Sequence, residues 1–295
     1  MNAIFDEALI ARNREKAIQR FSPGSDFLLS IAAEEFGERL SLTERRFEEA
    51  VELFGATGLA AKAALATGKV DHMRRIETTP AFAGSNGPIE PTAFETVPLA
   101  PESTNLILAP LSLHLTNDTP GMLIQMRRAL KPDGLLLAAI PGSGTLSELR
   151  EVLLATETEL YGGASPRVIP FADIRDIGGL LQRAGFALPV IDEEIYTVRY
   201  DHIFALMRDL KAMGMANPLL GRSRRPVSRR FFLRAAELYA ERFADPDGRI
   251  RASFSVVYLS GWAPHESQQK PLKPGSAKMR LADALDPTRR LDGQD

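Results

Sequence analysis

The chain reads as an α/β protein, a seven-stranded, mostly parallel sheet with helices on its faces and a helical lid. Three observations predict it. From residue 50 onward short apolar runs alternate with helical patterns, the signature of parallel strands joined by crossover helices. A glycine turn, Gly55-Ala56-Thr57-Gly58, follows the first apolar run and opens a helix rich in small residues. The last apolar run, Ala252 to Trp262, returns after a helical stretch and is expected to enter the sheet antiparallel.

The elements follow in order. Residues 1 to 48 are rich in Arg, Glu, Leu and Ala and read as a helical N-terminal segment, broken at Ser22-Pro23-Gly24. Ala50 to Phe54 is the first strand, Leu59 to Ala66 a helix and Val70 to Glu77 the second strand. Residues 80 to 101 carry seven prolines and glycines, so this stretch reads as loop with a short third strand near Thr92. Asn105 to Ala109 and Gly134 to Ile140 are the fourth and fifth strands. Between them Thr119 is expected to cap a helix that has Pro120 at its first position and Leu123, Met126 and Leu130 on one face. Lys131-Pro132-Asp133-Gly134 is expected as the turn into the fifth strand. Helices near 145–158 and 171–184, a strand over 190–198, helices near 201–212 and 227–243, and the last strand complete a domain over 49–264. Its helical insertion spans about 200–245. Residues 265–295 are polar and read as a mostly disordered tail.

Composition narrows the function. The 295 residues are 44% hydrophobic and 25% charged, enough for a sizeable core. A formal net charge of −2 gives no global pull toward nucleic acid. The absence of cysteine removes disulfides, thiolate metal sites and a cysteine nucleophile. No run approaches the roughly 20 apolar residues of a membrane helix, and no secretory leader pattern opens the chain. A cytoplasmic protein is expected.

The chemistry-bearing pattern sits around the glycine turn. A strand, a glycine turn and a helix N-terminus let backbone approach a nucleotide-type ligand. Glu52 ends the first strand and Glu77 the second, 19 residues after Gly58, close to the roughly 20-residue offset of a ribose-binding acid. Spacing alone leaves Gly58 an ordinary tight turn and Glu77 a surface acid. His114 follows the fourth strand, where such sheets open their sites, and reads either as a general base or as a packed structural histidine. Asn117 and Asp118 read as helix caps. Arg222-Ser223-Arg224-Arg225-Pro226, with Arg229 and Arg230, is a basic stretch, read as a solvated loop or as a surface for an acidic partner.

Several segments match one family in order. They are Ile4-Phe5-Asp6, Leu111 to Asp118, Leu130 to Gly134, Thr145 to Arg150, Glu157-Thr158-Glu159, Gly162 to Pro166, Pro170-Phe171, Gly261-Trp262 and His265 to Gln268. The set resembles the complex I assembly factor family, described as arginine hydroxylases with a class I, Rossmann-like methyltransferase fold. It is similar, more distantly, to the malonyl-carrier-protein methyltransferase of biotin synthesis. The resemblance covers about residues 4 to 270. It implies S-adenosylmethionine as cofactor, a protein substrate or assembly partner such as a complex I subunit, and cofactor contacts from Glu52, Gly55, Ala56, Gly58, Glu77, Ala93 and Phe94. His114 becomes the candidate catalytic residue.

The chain also departs from that family. Where the family has Asp-Leu-Gly-Cys-Gly-x-Gly, this sequence has Glu52-Leu53-Phe54-Gly55-Ala56-Thr57-Gly58. Where the family places an acid for the adenine, it has Ala93 beside Phe94. Four histidines, none in a His-x-Asp or His-x-Glu pattern, give hydroxylation no separate support. Two readings stand: a methyltransferase-type enzyme, or a methyltransferase-fold assembly factor, non-catalytic or non-methylating, that has lost its cofactor.

Overall fold

The computed structural model describes residues 3–84 and 86–269. The described residues up to Pro264 form one compact unit. From residue 270 onward the tail lies outside the described residues, and with it the expectation that it does not pack.

Helices α1 (Glu7–Gln19) and α2 (Phe27–Leu42) open the chain. The strands are β1 (Phe47–Leu53), β2 (Val70–Glu77), β3 (Glu90–Pro91), β4 (Thr104–Pro110), β5 (Leu130–Pro141), β6 (Ala187–Tyr200) and β7 (Ile250–Trp262). They form one seven-stranded sheet in the order β3-β2-β1-β4-β5-β7-β6. β1 to β5 pair in parallel, and β7 lies antiparallel between β5 and β6. The expected mostly parallel sheet with an antiparallel last strand is the one that forms. Helices α3 (Leu59–Ala66), α4 (Thr119–Ala129), α5 (Ser147–Tyr161), α6 (Ile174–Arg183), α7 (Ile203–Ala212) and α8 (Arg229–Phe243) complete the fold.

The two-residue period of the strands divides the core. Ile107 and Ala109 of β4, with Leu136, Ala138 and Ile140 of β5, face Met122, Met126 and Leu181 of α4 and α6. Their neighbours Leu106, Leu108, Leu135 and Leu137 face Ala32, Phe36 and Ala64 of α2 and α3. Both faces of the central strands are therefore dry, which is why they read as continuous apolar runs.

Four local readings change. β1 begins at Phe47, not Ala50, because Phe47 is buried and pairs with Val70 while Glu48 and Glu49 hide the alternation. Lys131–Gly134 is not a turn. Strand β5 starts at Leu130, the register against β4 shifts between Thr104 and Leu106, and Asp133 takes φ 63 while its N–H donates to the Ala263 carbonyl. Asp118, not Thr119, caps α4, its carboxylate accepting from the Gly121 N–H at 2.9 Å. The Thr119 hydroxyl instead meets that of Thr116 at 2.7 Å. Asn117 is no cap: its side-chain oxygen accepts the N–H groups of Ile4 and Phe5, both at 2.8 Å.

Those bonds tie residues 4 and 5 to the loop before α4, and the same segment also meets the lid. α5, α7 and α8 pack around Leu149, Leu206, Phe231 and Tyr239 against Phe254 of β7. The loop between α7 and α8 then takes the N-terminal strand-like segment. Phe5 bridges Leu219, the Asp6 N–H donates to the Pro218 carbonyl, and Asn13 donates to the Ala216 carbonyl at 3.0 Å. Arg222 belongs to this clasp too, donating to the Leu219 carbonyl at 2.7 Å and pairing with Asp6 at 3.3 Å, whereas Arg224 and Arg225 are exposed.

Candidate functional site

The strand order reverses between β1 and β4, and open α/β sheets bind ligands at such a switch, beyond the carboxyl ends of the strands. Three segments meet there: the turn Phe54–Thr57 after β1, Pro110 to His114 after β4, and Pro141 to Thr145 after β5.

The turn keeps a glycine-shaped backbone without all its glycines. Phe54 and Ala56 have φ 54 and 52, in the left-handed region that L-residues with a Cβ enter at a cost. The Phe54 ring does not fill the cleft. It is buried in the core with Val51, Ile76 and Val97, edge-on to Phe94 at 4.9 Å. Gly58 has φ 77, and a Cβ there would lie 2.5 Å from the Arg75 guanidinium. A Cβ on Gly55 would collide with the Glu52 carboxylate. These two glycines are thus fixed by what lies beneath the turn.

What lies beneath is a buried ion pair. The Glu52 carboxylate meets Arg75 Nε at 3.0 Å and accepts the Ala61 N–H at 3.0 Å. Burial nevertheless holds its pKa above the ordinary carboxylate range, outweighing both partners. Arg75 also donates to the carbonyls of Ala56, Phe82, Ala83 and Gly87, so it fastens the turn to the loop after β2. Sequence reading placed Glu52 against a ligand; the structure turns it inward as a brace.

Glu77, at the end of β2, is also buried. Arg14 of α1 reaches both its oxygens, at 2.7 and 2.8 Å, and the backbone N–H groups of Ala56 and Thr78 donate to it at 2.5 and 3.0 Å. An ionised carboxylate offers about four lone-pair positions. Three donor nitrogens, Arg14 Nη2 and the backbone nitrogens of Ala56 and Thr78, make four contacts with it, two on each oxygen. Arg14 also donates to the Phe54 carbonyl at 3.3 Å, and its guanidinium lies over the Phe82 ring at 4.9 Å and near the Phe94 ring at 6.0 Å. Ala93 is exposed and contributes no polar group. The neighbouring acid, Glu95, instead accepts the N–H groups of Asn117 and Asp118, at 2.6 and 3.0 Å.

Two cavities adjoin this point. One is lined by the turn, Phe82, Leu28, Met213 and Phe254. The other lies under the lid among Leu149, Ile169, Phe171, Leu210 and Asn217. Arg14, Leu111, His114, Met213 and Met215 line both and form the partition. His114 sits in a 3-10 turn, its ring 6.3 Å from that of Phe171, and its Nδ1 has no hydrogen-bond partner. Burial, then the charge of Arg14, pulls its pKa down to about 3. The imidazole is therefore neutral at neutral pH. A base working near pH 7 is best matched by a pKa near 7.

Sequence reading missed Arg14 and Arg75. The signal for Arg14 was its spacing: Ile10, Asn13 and Arg14 stand at i, i+3 and i+4, and they are the buried residues of α1.

The sheet order, the turn after β1 and the acid after β2 define the class: this is the Rossmann-like class I methyltransferase fold. The solved YcgJ protein of Bacillus subtilis matches it with a TM-score of 0.53 at 13% identity, over 78% of this chain and 98% of that one. Among curated proteins, the chain is 46% identical over 183 residues to the mitochondrial arginine-hydroxylase NDUFAF5 of Dictyostelium discoideum, covering 62% of this chain and 42% of that protein. It is 39% identical to the human NDUFAF5 over 189 residues, 64% of this chain and 54% of that protein. It is 38% identical to the malonyl-[acyl-carrier protein] O-methyltransferase of Laribacter hongkongensis, over 62% of this chain and 59% of that protein. The matched region spans about half the length of these relatives. No family model matches the chain.

The cofactor this fold implies does not fit Glu77 as the site stands. A ribose needs two acceptor positions on that acid, and Arg14, Ala56 and Thr78 hold them.

Proposed function

We propose that this chain is a methyltransferase-fold factor of the NDUFAF5 kind, directed at a protein partner such as a respiratory complex I subunit, and that in this form it does not use S-adenosylmethionine. The Glu77 carboxylate, each oxygen of which already accepts from Arg14 and from one backbone N–H, carries the reading. The resemblance over about residues 4 to 270 and the identity to NDUFAF5 support the protein-directed role. The cavity under the lid gives that role a place: it is largely apolar, and it is separated from the turn only by the partition that carries His114. The relatives are named for arginine hydroxylation; for this chain the proposal is a modifying or chaperoning role on a protein.

Titration calorimetry with S-adenosylmethionine tests the reading. The natural chain is expected to bind no tighter than about 100 μM, roughly 5.5 kcal/mol. Micromolar binding would overturn it and return the chain to the methylating enzymes. The proposal keeps the cytoplasmic location expected from the sequence. Among the described residues no helix is long and apolar enough to cross a membrane, and the names of the NDUFAF5 relatives place those proteins in mitochondria. Cell fractionation decides that part.

A further inference from the structure

Glu77 is closed by one side chain from an element far away in sequence. Arg14 is 9% exposed, yet α1 buries just one apolar residue, Ile10, along its 13 residues. The helix is held by polar contacts before its first turn and at its middle, and by Arg14 itself: Asn117 and the Pro218 carbonyl at residues 4–6, the Ala216 carbonyl at Asn13. An element with few buried apolar contacts opens at low free energy. The guanidinium is also incompletely satisfied, since Nε has no hydrogen-bond partner although it is buried. A fully designed structural pair would leave no such donor unpaired.

The guanidinium imitates what the cleft would otherwise hold. Its Nη2 spans both Glu77 oxygens, the positions two ribose hydroxyls would use, and it presents a flat cation to Phe82 and Phe94, as a purine would present a flat ring. Phe54, Gly55, Ala56 and Thr57 still line the cavity beside it.

We propose that Arg14 is the specificity-determining residue of this cleft: it occupies the ribose carboxylate and the aromatic faces, and an adenosine-bearing ligand enters only when α1 withdraws it. The inference rests on reading the cleft as that of the methyltransferase fold. Withdrawal breaks no covalent bond. It exchanges the Arg14 pair for hydroxyl donors and leaves the Ala56 and Thr78 N–H groups on Glu77.

The probe is S-adenosylhomocysteine, titrated into the natural chain, Arg14→Ala, and Arg14→Ala with Glu77→Gln. Arg14→Ala should bind at least tenfold tighter than the natural chain, the effect of freeing one charged hydrogen-bonding position. Adding Glu77→Gln should remove the gain. Equal or weaker binding by Arg14→Ala overturns the inference in either of two ways. If both proteins bind at micromolar concentration, the latch is wrong and so is the cofactor-free reading above. If neither binds, the latch is wrong and the cofactor-free reading stands. Should Arg14→Ala fail to fold, hydrogen exchange on the natural chain replaces it. At millimolar S-adenosylhomocysteine the α1 amides, residues 7–19, should lose protection; unchanged or greater protection overturns the proposal.

Discussion

Phe54 and Ala56 carry the same backbone strain and predict opposite mutational signs. A left-handed L-residue costs about 1–2 kcal/mol, and glycine returns up to about 1 kcal/mol of that through the unfolded chain. Ala56→Gly should therefore raise stability by about 0.5–1 kcal/mol, read as a higher urea midpoint with unchanged slope. Phe54→Gly relieves the same strain but empties a buried aromatic site, and should lower stability by about 3 kcal/mol. If both glycine variants shift the same way, the positive φ angles are not where the strain lies. His114 predicts a pH dependence. Its folded pKa, about 3, lies below the ordinary 6.5, so folding favours the neutral ring. The contribution is complete above pH 6.5 and is lost as pH falls from 6.5 toward 3, while the unfolded chain takes up the proton that the fold refuses. The slope approaches about 1.4 kcal/mol per pH unit for one histidine. His114→Gln cannot take up that proton. The stability difference between natural and variant chains should be flat from pH 7 to 9 and shrink by pH 5. A difference that stays constant would show an exposed, ordinary histidine.

At the scale of elements, the sequence was readable where a pattern repeats and unreadable where one contact decides. The central strands declare themselves because both faces are dry, and β7 declares itself by its long apolar run against the edge strand β6. The start of β1 was hidden by exposed Glu48 and half-buried Glu49, two adjacent charges that separate Phe47 from the apolar run after them. The β5 bulge was hidden because Lys-Pro-Asp-Gly is turn chemistry in isolation, whereas pairing with β4 at Leu130 and bonds to Ala263 beyond β7 keep it in the sheet. The site was legible in position and illegible in state. Strand ends and the glycine spacing pointed to the turn, Glu52 and Glu77. Which partner each acid takes depends on Arg75, two residues before Glu77, and on Arg14, 63 residues before it. No local rule announces such pairings. His114 was legible as a residue at the mouth of the sheet, and its neutrality follows only from the folded chain, through burial first and the charge of Arg14 second.

Across the whole molecule, the two segments that close the cleft lie far apart in the sequence. The N-terminal residues 4–6 pair with residues 218–220, so α1 and the α7–α8 insertion are clasped into one cover over both cavities. If Arg14 withdraws, this clasp must loosen. The chain contains no cysteine, so a single engineered disulfide reports on it cleanly. Phe5 and Leu219 face each other in an antiparallel bridge. Such pairs place Cα atoms about 4.5–5.5 Å apart, within disulfide reach. The Phe5→Cys, Leu219→Cys protein should melt higher oxidised than reduced. Chain-entropy arguments set the ceiling near 5 kcal/mol for a loop from residue 5 to residue 219. Comparing the two redox states of one protein cancels the loss of the Phe5 ring from its small cluster with Ile10 and Ile169. The sharper readout is exchange. Oxidation should slow the α1 amides markedly and leave those of β4 and β5 unchanged, because it closes the cover without touching the sheet. If α1 exchanges equally fast in both states, the clasp does not govern the helix, and Arg14 is released by some other motion.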